Sequence, residues 1–157
     1  FYLFFDFAGY SNFAVGTSYI LGVKTPDNFY LPFLSTSMKD FWTRWHISLS
    51  RWFGDYIYSR LTMDFLRKKW PKDRHKASYL AQMITMLTMG AWHGLAPYYL
   101  LYGLYQGGLL VANDLYERKL PFFKKNKDRF SYQLLAVFVT FHLVCFGFLI
   151  FSGYLFA

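Results

Sequence analysis

Long stretches without a charged side chain are the feature that most constrains how this sequence can fold. No Asp, Glu, Lys or Arg occurs in residues 77–113 or 130–157, and Asp6 is the only charged residue before Lys24. About 20 consecutive apolar residues span a bilayer as an α-helix. The sequence therefore predicts an all-α polytopic membrane protein, located in the cell membrane with several spans in contact with lipid.

The amino-acid composition supports this class. Of the 157 residues, 55% are hydrophobic and 24% aromatic, but only 17% are charged, whereas about 25% are charged in an ordinary globular chain. A soluble domain of this length has too small an interior for 19 Phe, 14 Tyr and 5 Trp. The aromatic content also excludes disorder, and the single Cys145 excludes a disulfide scaffold.

The distribution of charge divides the chain into five predicted segments. Pro97, with Gly90 and Gly94 before it, should break the tract 77–113 into two spans, or into one span and a re-entrant piece. We favour two spans, which would put both basic segments on the cytoplasmic side; a single crossing would put them on opposite sides. The predicted segments are a membrane helix at 1–23, interfacial helices and a basic loop at 24–76, a membrane hairpin or broken helix at 77–113, a basic loop at 114–129 and a membrane helix at 130–157.

Both ends of the chain lie within apolar sequence, and the start lacks the features of a signal peptide. We therefore expect this chain to be a part of a larger protein.

A helix is predicted to begin at Ser37, because Ser37-Met-Lys-Asp40 has the spacing of a capping box. Apolar side chains then recur at three- and four-residue steps, with charged residues on the opposite side. The pattern predicts one amphipathic helix in the membrane interface, or one whose polar face lines a wet cavity; an amphipathic helix of a soluble domain is the alternative. The apolar stripe consists of Phe41, Trp45, Leu49, Trp52 and Tyr56.

Two histidines are candidates for chemistry. His93 lies deep in the charge-free tract, where an ionisable residue suggests a functional site, and His46 lies on the predicted amphipathic helix. A neutral imidazole can take a proton from a hydroxyl, and Gly94 would let a substrate chain approach closely. The alternative for His93 is a buried neutral side chain that bonds to a carbonyl.

Other site types are not supported by the sequence. His142 is expected to pack in a helix core, and His75 to be solvated. Cys145 has no partner at metal-ligand spacing, so no metal site is expected. The basic cluster at 67–76 could suggest nucleic acid, but beside membrane helices it favours cytosolic orientation or anionic lipid. No nucleic-acid partner is expected.

Three motifs resemble those of the membrane-bound O-acyltransferases. Phe41-Trp-Thr-Arg-Trp-His-Ile-Ser-Leu-Ser-Arg-Trp52, followed by Asp55-Tyr-Ile-Tyr58, is similar to the family's hallmark stretch. Asp6-Phe-Ala-Gly-Tyr-Ser11 resembles the segment just upstream of it. Trp92-His93-Gly94, 47 residues after His46, matches the second hallmark, which carries the catalytic histidine of the family.

Within this family, three segments resemble the branch that transfers D-alanine to teichoic acid. They are Trp52-Phe-Gly-Asp-Tyr-Ile-Tyr-Ser-Arg-Leu61, Thr88-Met-Gly-Ala-Trp-His-Gly94 and Leu101-Tyr-Gly-Leu-Tyr-Gln-Gly107. The Ile-Pro-Leu-Gly-Gly run usual in the alginate acetylase branch is absent. Ala8 and Asn12 depart from the residues common in the family, at positions outside the proposed chemistry.

The resemblance implies the C-terminal part of one membrane domain, a helical bundle with re-entrant or interfacial helices. We expect it to pack against the remaining N-terminal helices of the same protein. It also implies transfer of D-alanine from a phosphopantetheine thioester on a cytosolic carrier protein towards teichoic acid or an intermediate acceptor, with no bound cofactor. His93 would be the general base and His46 the second catalytic histidine. Support for the substrate tunnel would come from Trp92, Gly94, Asp6 and Trp45.

The resemblance also implies that the carrier docks on the cytosolic segment after Tyr58. Apolar contact would come from Leu61, Met63 and Phe65, and positive charge from Arg67, Lys68 and Lys69.

Two other functions stay open at this point. One is an O-acetyltransferase of the same family that acts on an exported polysaccharide. The other is a transporter or channel segment in which both histidines only line a pore.

Overall fold

The computed structural model describes residues 2–120 and 126–156, and these residues are almost entirely helical or in turns. Their α-helices are α1 (Tyr2–Ile20), α2 (Met38–Arg44), α3 (Ile47–Phe53), α4 (Ser59–Arg67), α5 (Arg74–His93), α6 (Pro97–Lys119) and α7 (Phe130–Phe151). Short 3-10 helices occupy Pro32–Leu34 and Tyr154–Phe156, and a π-helix at Gly54–Tyr58 joins α3 to α4. The all-helical prediction is confirmed for these residues.

Helices α5 and α6 form a tight antiparallel hairpin within the charge-free tract. The chain reverses at residues 94–96, and Pro97 starts α6, where its missing N–H costs nothing. A Cβ added to Gly90 would collide with the carbonyl oxygen of Tyr99, and one added to Gly103 would lie 2.5 Å from that of Met86. Such contacts require bare backbone, so these glycines set the close approach of the two helices.

Helix α7 packs antiparallel to α6. The hydroxyl of Tyr105 donates to the carbonyl of Leu143 at 3.0 Å, and Thr140, Val144 and Gly147 form the buried face of α7. His142 lies on the opposite, exposed face and hydrogen bonds within its own helix to Phe138 at 2.8 Å. The expectation that His142 packs in a core is therefore wrong for this chain.

The predicted cap at Ser37 is confirmed. Its side chain accepts a hydrogen bond from the N–H of Asp40 at 3.1 Å, and the Asp40 carboxylate accepts from the N–H of Thr36 at 3.1 Å. Asp40 also forms an ion pair with Arg44, one helical turn later, at 2.7 Å.

The prediction of one continuous helix through Tyr56 is wrong, because the chain breaks at Trp45 and His46. Trp45 is extended, and His46 takes the left-handed conformation with φ of 44°. Hydrogen bonds to an earlier loop replace the helical ones: the N–H of Tyr30 donates to Arg44 at 3.0 Å, and that of Ile47 donates to Asn28 at 3.0 Å. The apolar stripe is divided as a result, with Phe41 and Trp45 buried and Trp52 and Tyr56 about half exposed.

Helix α6 continues past Asn113 to Lys119, into the segment predicted to be a basic loop. Side-chain pairs four residues apart extend the helix, since Asn113 bonds to Glu117 and Arg118 pairs with Asp114. Residues 121–125 of that segment lie outside the described residues.

One described helix, α7, is long and apolar enough to cross a membrane, with 22 residues and a mean hydropathy of 2.6 in its most apolar window. Buried polar side chains such as Ser11 in α1, Thr85 in α5 and Gln106 in α6 lower the apolar character of the other long helices. The multi-pass arrangement and the re-entrant or interfacial placement stay predictions.

Candidate active site

A cavity of about 550 Å³ lies where α1, the α2–α3 break and the ends of α5 and α7 meet. It brings together both candidate histidines, which are 47 residues apart in the sequence. Aromatic side chains form most of its wall. The lining residues are Leu3, Asp6, Phe7, Tyr10, Trp42, Trp45, His46, Leu49, Met89, Trp92, His93, Tyr102, Phe148 and Phe151.

His93 is the last residue of α5, half-buried at the cavity wall. Its ring lies 4.8 Å from that of Trp92 and 4.9 Å from that of Phe151, in edge-to-face contacts. These contacts restrict the rotation of the imidazole because rings on two sides enclose it. The helix end thus holds the histidine in a defined position beside the cavity.

Gly94 follows the last residue of α5 and has a backbone conformation that favours glycine. Its φ of 154° is unfavourable for residues with a side chain, and an added Cβ would lie 2.9 Å from the ring of Tyr99. Close approach of a substrate is therefore not needed to explain this glycine, and Gly94 is not among the residues that line the cavity.

His46 reaches the cavity because the chain breaks at this position. Its ring lies 4.6 Å from that of Phe7 on α1, in an edge-to-face contact. Asn28 fixes the following turn, since its side-chain oxygen accepts hydrogen bonds from the N–H and the hydroxyl of Ser48. Within the described part of the chain, the buried Nδ1 of His46 has no hydrogen-bonding partner, and neither has Nε1 of Trp42.

The pKa of His46 is set by burial and by its neighbour His93. Burial, with a smaller contribution from the nearby His93, lowers the pKa of His46 from its ordinary value of 6.5 to about 4. His46 is therefore neutral at physiological pH, and one of its ring nitrogens can accept a hydrogen bond while the other donates one.

Three of the predicted supporting residues line the same cavity: Asp6 on α1, Trp45 at the break and Trp92 on α5. Trp45 is buried and stacks on Phe41 with ring centroids 5.7 Å apart, which is the contact expected of a structural wall. Trp92 is 60% exposed in this chain. Their roles in substrate binding stay predictions.

The predicted carrier-docking residues lie on α4 and the turn that follows it, outside the cavity. Met63 is 61% exposed, Leu61 and Phe65 are partly buried, and Arg67, Lys68 and Lys69 are exposed. Arg67 pairs with Asp64 at 2.8 Å, so part of its charge is neutralised locally.

Sequence reasoning did not identify several aromatic residues of the wall, chiefly Phe7, Tyr102, Phe148 and Phe151. A signal for Tyr102 was present, because Gly103 and Gly107 form a small-xxx-small pair that predicts close helix packing. Folding α6 back at residues 94–96 then carries Tyr102 towards the end of α5. Among the described residues, no group of His, Cys, Asp and Glu side chains could hold a metal ion.

Comparison with known proteins assigns the chain that forms this cavity to one family. The model of the membrane-bound O-acyltransferase family matches residues 1–156. A teichoic acid D-alanyltransferase of Bacillus subtilis is 49% identical over 152 residues, which cover 97% of this chain and 38% of the relative. A teichoic acid D-alanyltransferase of Streptococcus thermophilus is 44% identical over 98% of this chain and 39% of the relative.

A probable alginate O-acetylase of Pseudomonas putida is 38% identical over 96% of this chain and 28% of the relative. The chain therefore spans less than two-fifths of the length of these three relatives. The family model covers both histidines and every residue that the structure describes. This chain belongs to the membrane-bound O-acyltransferase family.

Proposed function

We propose that this chain forms the reaction cavity of a membrane acyltransferase that moves D-alanine from the thioester of a phosphopantetheinyl carrier protein to a hydroxyl acceptor for teichoic acid. The acceptor is teichoic acid itself or an intermediate carrier of the D-alanyl group. The observation that carries the proposal is the meeting of His93 and His46 in one aromatic-walled cavity.

His93 acts as the general base in this proposal. A neutral ring nitrogen of His93 takes the proton of the acceptor hydroxyl while the hydroxyl oxygen forms a bond to the thioester carbonyl carbon. The carbon–sulfur bond then breaks, and the phosphopantetheine thiolate recovers the proton from the imidazolium. His93 is neutral again at the end of the reaction, and the ester product and the free-thiol carrier together contain all the atoms of the two substrates.

His46 has a different role, as a hydrogen-bonding group that orients the reactants. Its lowered pKa of about 4 keeps the ring neutral, and its buried Nδ1 has no partner among the described residues. Because Nδ1 is enclosed, the substrate hydrogen bond falls to Nε2, the other ring nitrogen of the neutral imidazole.

D-alanine is proposed as the acyl group because of the relatives. The teichoic acid D-alanyltransferases match this chain at 49% and 44% identity, and the Pseudomonas putida probable alginate O-acetylase at 38%. The thioester would arrive on a carrier that docks at α4, where Met63 and Leu66 are exposed next to Lys68 and Lys69. Acidic carriers fit such a surface by charge.

The central test is His93→Ala in the full-length protein, with D-alanine content of teichoic acid measured in cells at normal membrane levels of the protein. We expect a loss of D-alanine of at least about 100-fold, the range for removing a general base. His142→Ala is the matched control, since His142 lies outside the cavity, and it should leave the content unchanged. If the teichoic acid of His93→Ala cells held as much D-alanine as that of wild-type cells, His93 would not be the general base, and a pore lined by both histidines would be favoured.

Carrier docking is tested with Met63→Asp and Met63→Leu in the purified full-length protein. The first places a negative charge on the exposed surface and should weaken binding of an acidic carrier about tenfold or more. The second keeps an apolar side chain and should bind as the wild type does. Equal binding by both variants would remove α4 from the docking surface.

A second candidate is an O-acetyltransferase that acts on an exported polysaccharide. It is favoured by the probable alginate O-acetylases, which match 96% of this chain. Purified full-length protein supplied in turn with a D-alanyl carrier and with an acetyl donor separates the two, because only the true donor should be consumed.

A further inference from the structure

A buried glutamine beside the cavity lacks the partners that a buried amide needs. The side chain of Gln106 on α6 is 0% exposed, and neither its oxygen nor its nitrogen has a hydrogen-bonding partner among the described residues. Leaving a buried amide unsatisfied is costly. Its presence therefore calls for a functional or structural reason.

The surroundings of Gln106 limit what that reason can be. The amide lies against the backbone of α7 at Gly147, where an added Cβ would be only 2.7 Å from Nε2. Because the described helices fully enclose the side chain, a group from elsewhere in the protein could not reach it without displacing them. The phenol of Tyr102, one helical turn earlier, interacts with the amide, in a geometry that falls short of a regular hydrogen bond.

Tyr102 connects this glutamine to the reaction cavity. It is 4% exposed in total, and it lines the cavity together with both histidines. Its ring lies 5.2 Å from that of Phe151, which also contacts the ring of His93 at 4.9 Å. Tyr102 and His93 are thus neighbours of the same aromatic ring.

We infer that Tyr102 is a further catalytic residue, which donates its hydroxyl hydrogen to the acyl carbonyl oxygen, and that Gln106 is its positioning residue. The inference rests on the proposed acyl transfer. In the reacting state, the amide turns so that one N–H of Gln106 donates to the phenol oxygen and the phenol hydrogen points into the cavity.

The charge balance of the reaction explains the need for such a donor. As the hydroxyl oxygen bonds to the carbonyl carbon, the carbonyl π-electrons move onto its oxygen, and His93 holds the proton. The Tyr102 hydroxyl stabilises that oxyanion and keeps its own proton. When the carbonyl re-forms, the carbon–sulfur bond breaks and the thiolate takes the proton from His93.

The test uses Tyr102→Phe in the full-length protein, which keeps the ring and its contact with Phe151 but removes the hydroxyl. We expect kcat to fall about 100-fold, as for the loss of one oxyanion donor, with an unchanged KM for the charged carrier. The matched control is Tyr105→Phe on the same helix, whose hydroxyl bonds to the Leu143 carbonyl outside the cavity; it should retain the wild-type kcat.

Gln106→Met separates positioning from packing, since it keeps the volume and removes the amide. We expect kcat to fall about tenfold, and the double variant Tyr102→Phe/Gln106→Met to be no slower than Tyr102→Phe alone, because the glutamine acts through the tyrosine. A structural role alone would leave kcat of Gln106→Met unchanged. The inference would be overturned if the two losses of kcat multiplied in the double variant, or if the kcat of Tyr102→Phe lay within about twofold of the wild-type value.

Assays with two acyl donors distinguish a failure of this inference from a failure of the proposed function. All variants are assayed with a D-alanyl carrier and with an acetyl donor. Wild-type activity only with the acetyl donor would overturn D-alanyl transfer, and the variant-to-wild-type ratios on acetyl would still decide the role of Tyr102. Activity with neither donor would overturn both proposals.

Discussion

The two sides of the cavity are built by different kinds of contact. On one side, the α5–α6 hairpin brings backbone against backbone. On the other side, an aromatic cluster of Phe4, Phe29, Phe33, Phe41, Trp45 and Phe148 joins α1, α2 and α7 through ring contacts. The comparison shows that one side depends on the absence of side chains and the other on their size.

The difference follows from the residues at each contact. In the hairpin, Gly90 and Gly103 leave no room for a methyl group, because a Cβ added to either would collide with backbone atoms of the facing helix. In the aromatic cluster, the ring of Trp45 contacts one ring from each of three helices. The centroid distances are 6.0 Å to Phe4 on α1, 5.7 Å to Phe41 on α2 and 4.8 Å to Phe148 on α7. The hairpin contact at Gly90 and Gly103 should therefore tolerate no added side-chain atoms, and the aromatic cluster should tolerate no removed ones.

The largest expected effect is in the aromatic cluster. Phe41 is 0% exposed, and Phe41→Ala should lower the free energy of unfolding by about 3–5 kcal/mol, through lost burial and the cavity left behind. Chemical unfolding of the full-length protein in detergent micelles measures this change. Trp52→Ala is the control, because Trp52 is 50% exposed and should cost clearly less. If Phe41→Ala and Trp52→Ala lowered the free energy of unfolding equally, the aromatic cluster would not be the main source of stability on this side of the cavity.

An intermediate effect is expected in the hairpin. Gly103→Ala should lower the free energy of unfolding by about 1–3 kcal/mol, the usual range for overpacking, since its Cβ would meet the Met86 carbonyl oxygen at 2.5 Å. Gly108→Ala on the same helix is the matched control: nothing lies within 4 Å of its added Cβ, so it should be neutral or stabilising by up to about 1 kcal/mol. Similar effects of the two alanines, measured under the same conditions, would contradict tight packing at Gly103.

The smallest effect concerns the link between the two sides. Lys39 on α2 bonds to Asp114 at 2.8 Å and Glu117 at 3.0 Å on α6, and Tyr79 on α5 also donates to Asp114 at 2.8 Å. Burial acts to raise the pKa of Asp114, but the hydrogen bonds from Lys39 and Tyr79 outweigh it and hold the pKa below its ordinary value of 3.8.

Because the pKa of Asp114 is lower in the folded state, its stabilisation is present above about pH 3.8 and is lost as the pH falls through the lowered value. We expect a contribution below about 1 kcal/mol, since Lys39 is partly exposed. Thermal unfolding of wild type and Lys39→Met should differ at neutral pH and converge in acid. A difference that persists unchanged in acid would exclude the ion pair as its source.

Residues with short-range signals were predicted well. The capping spacing placed the start of α2 at Ser37, and Pro97 after Gly94 indicated where the charge-free tract divides. These features depend on hydrogen bonds and backbone preferences within a few residues, so neighbouring sequence determines them. The two histidines became candidates because of the tract and helix in which they lie, and the resemblance of their motifs to a family then gave them roles in one reaction.

Features that depend on distant residues were not predicted. The break at His46 was missed because helical spacing continues through it, and only the loop at Asn28 and Tyr30 offers the hydrogen bonds that replace the helical ones. The wall residue Tyr102 was missed because its contact with Phe151 joins helices separated in sequence.

The sequence by itself determined the helical class, the cap at Ser37, the division of the tract before Pro97 and the family motifs around His46 and His93. Only the tertiary structure decided that α2 and α3 are separate helices, that both histidines line one cavity and that Gln106 is enclosed without a partner. The reason is physical: local patterns fix dihedral angles and caps, whereas the partner of a buried ring or amide is set by how distant helices pack.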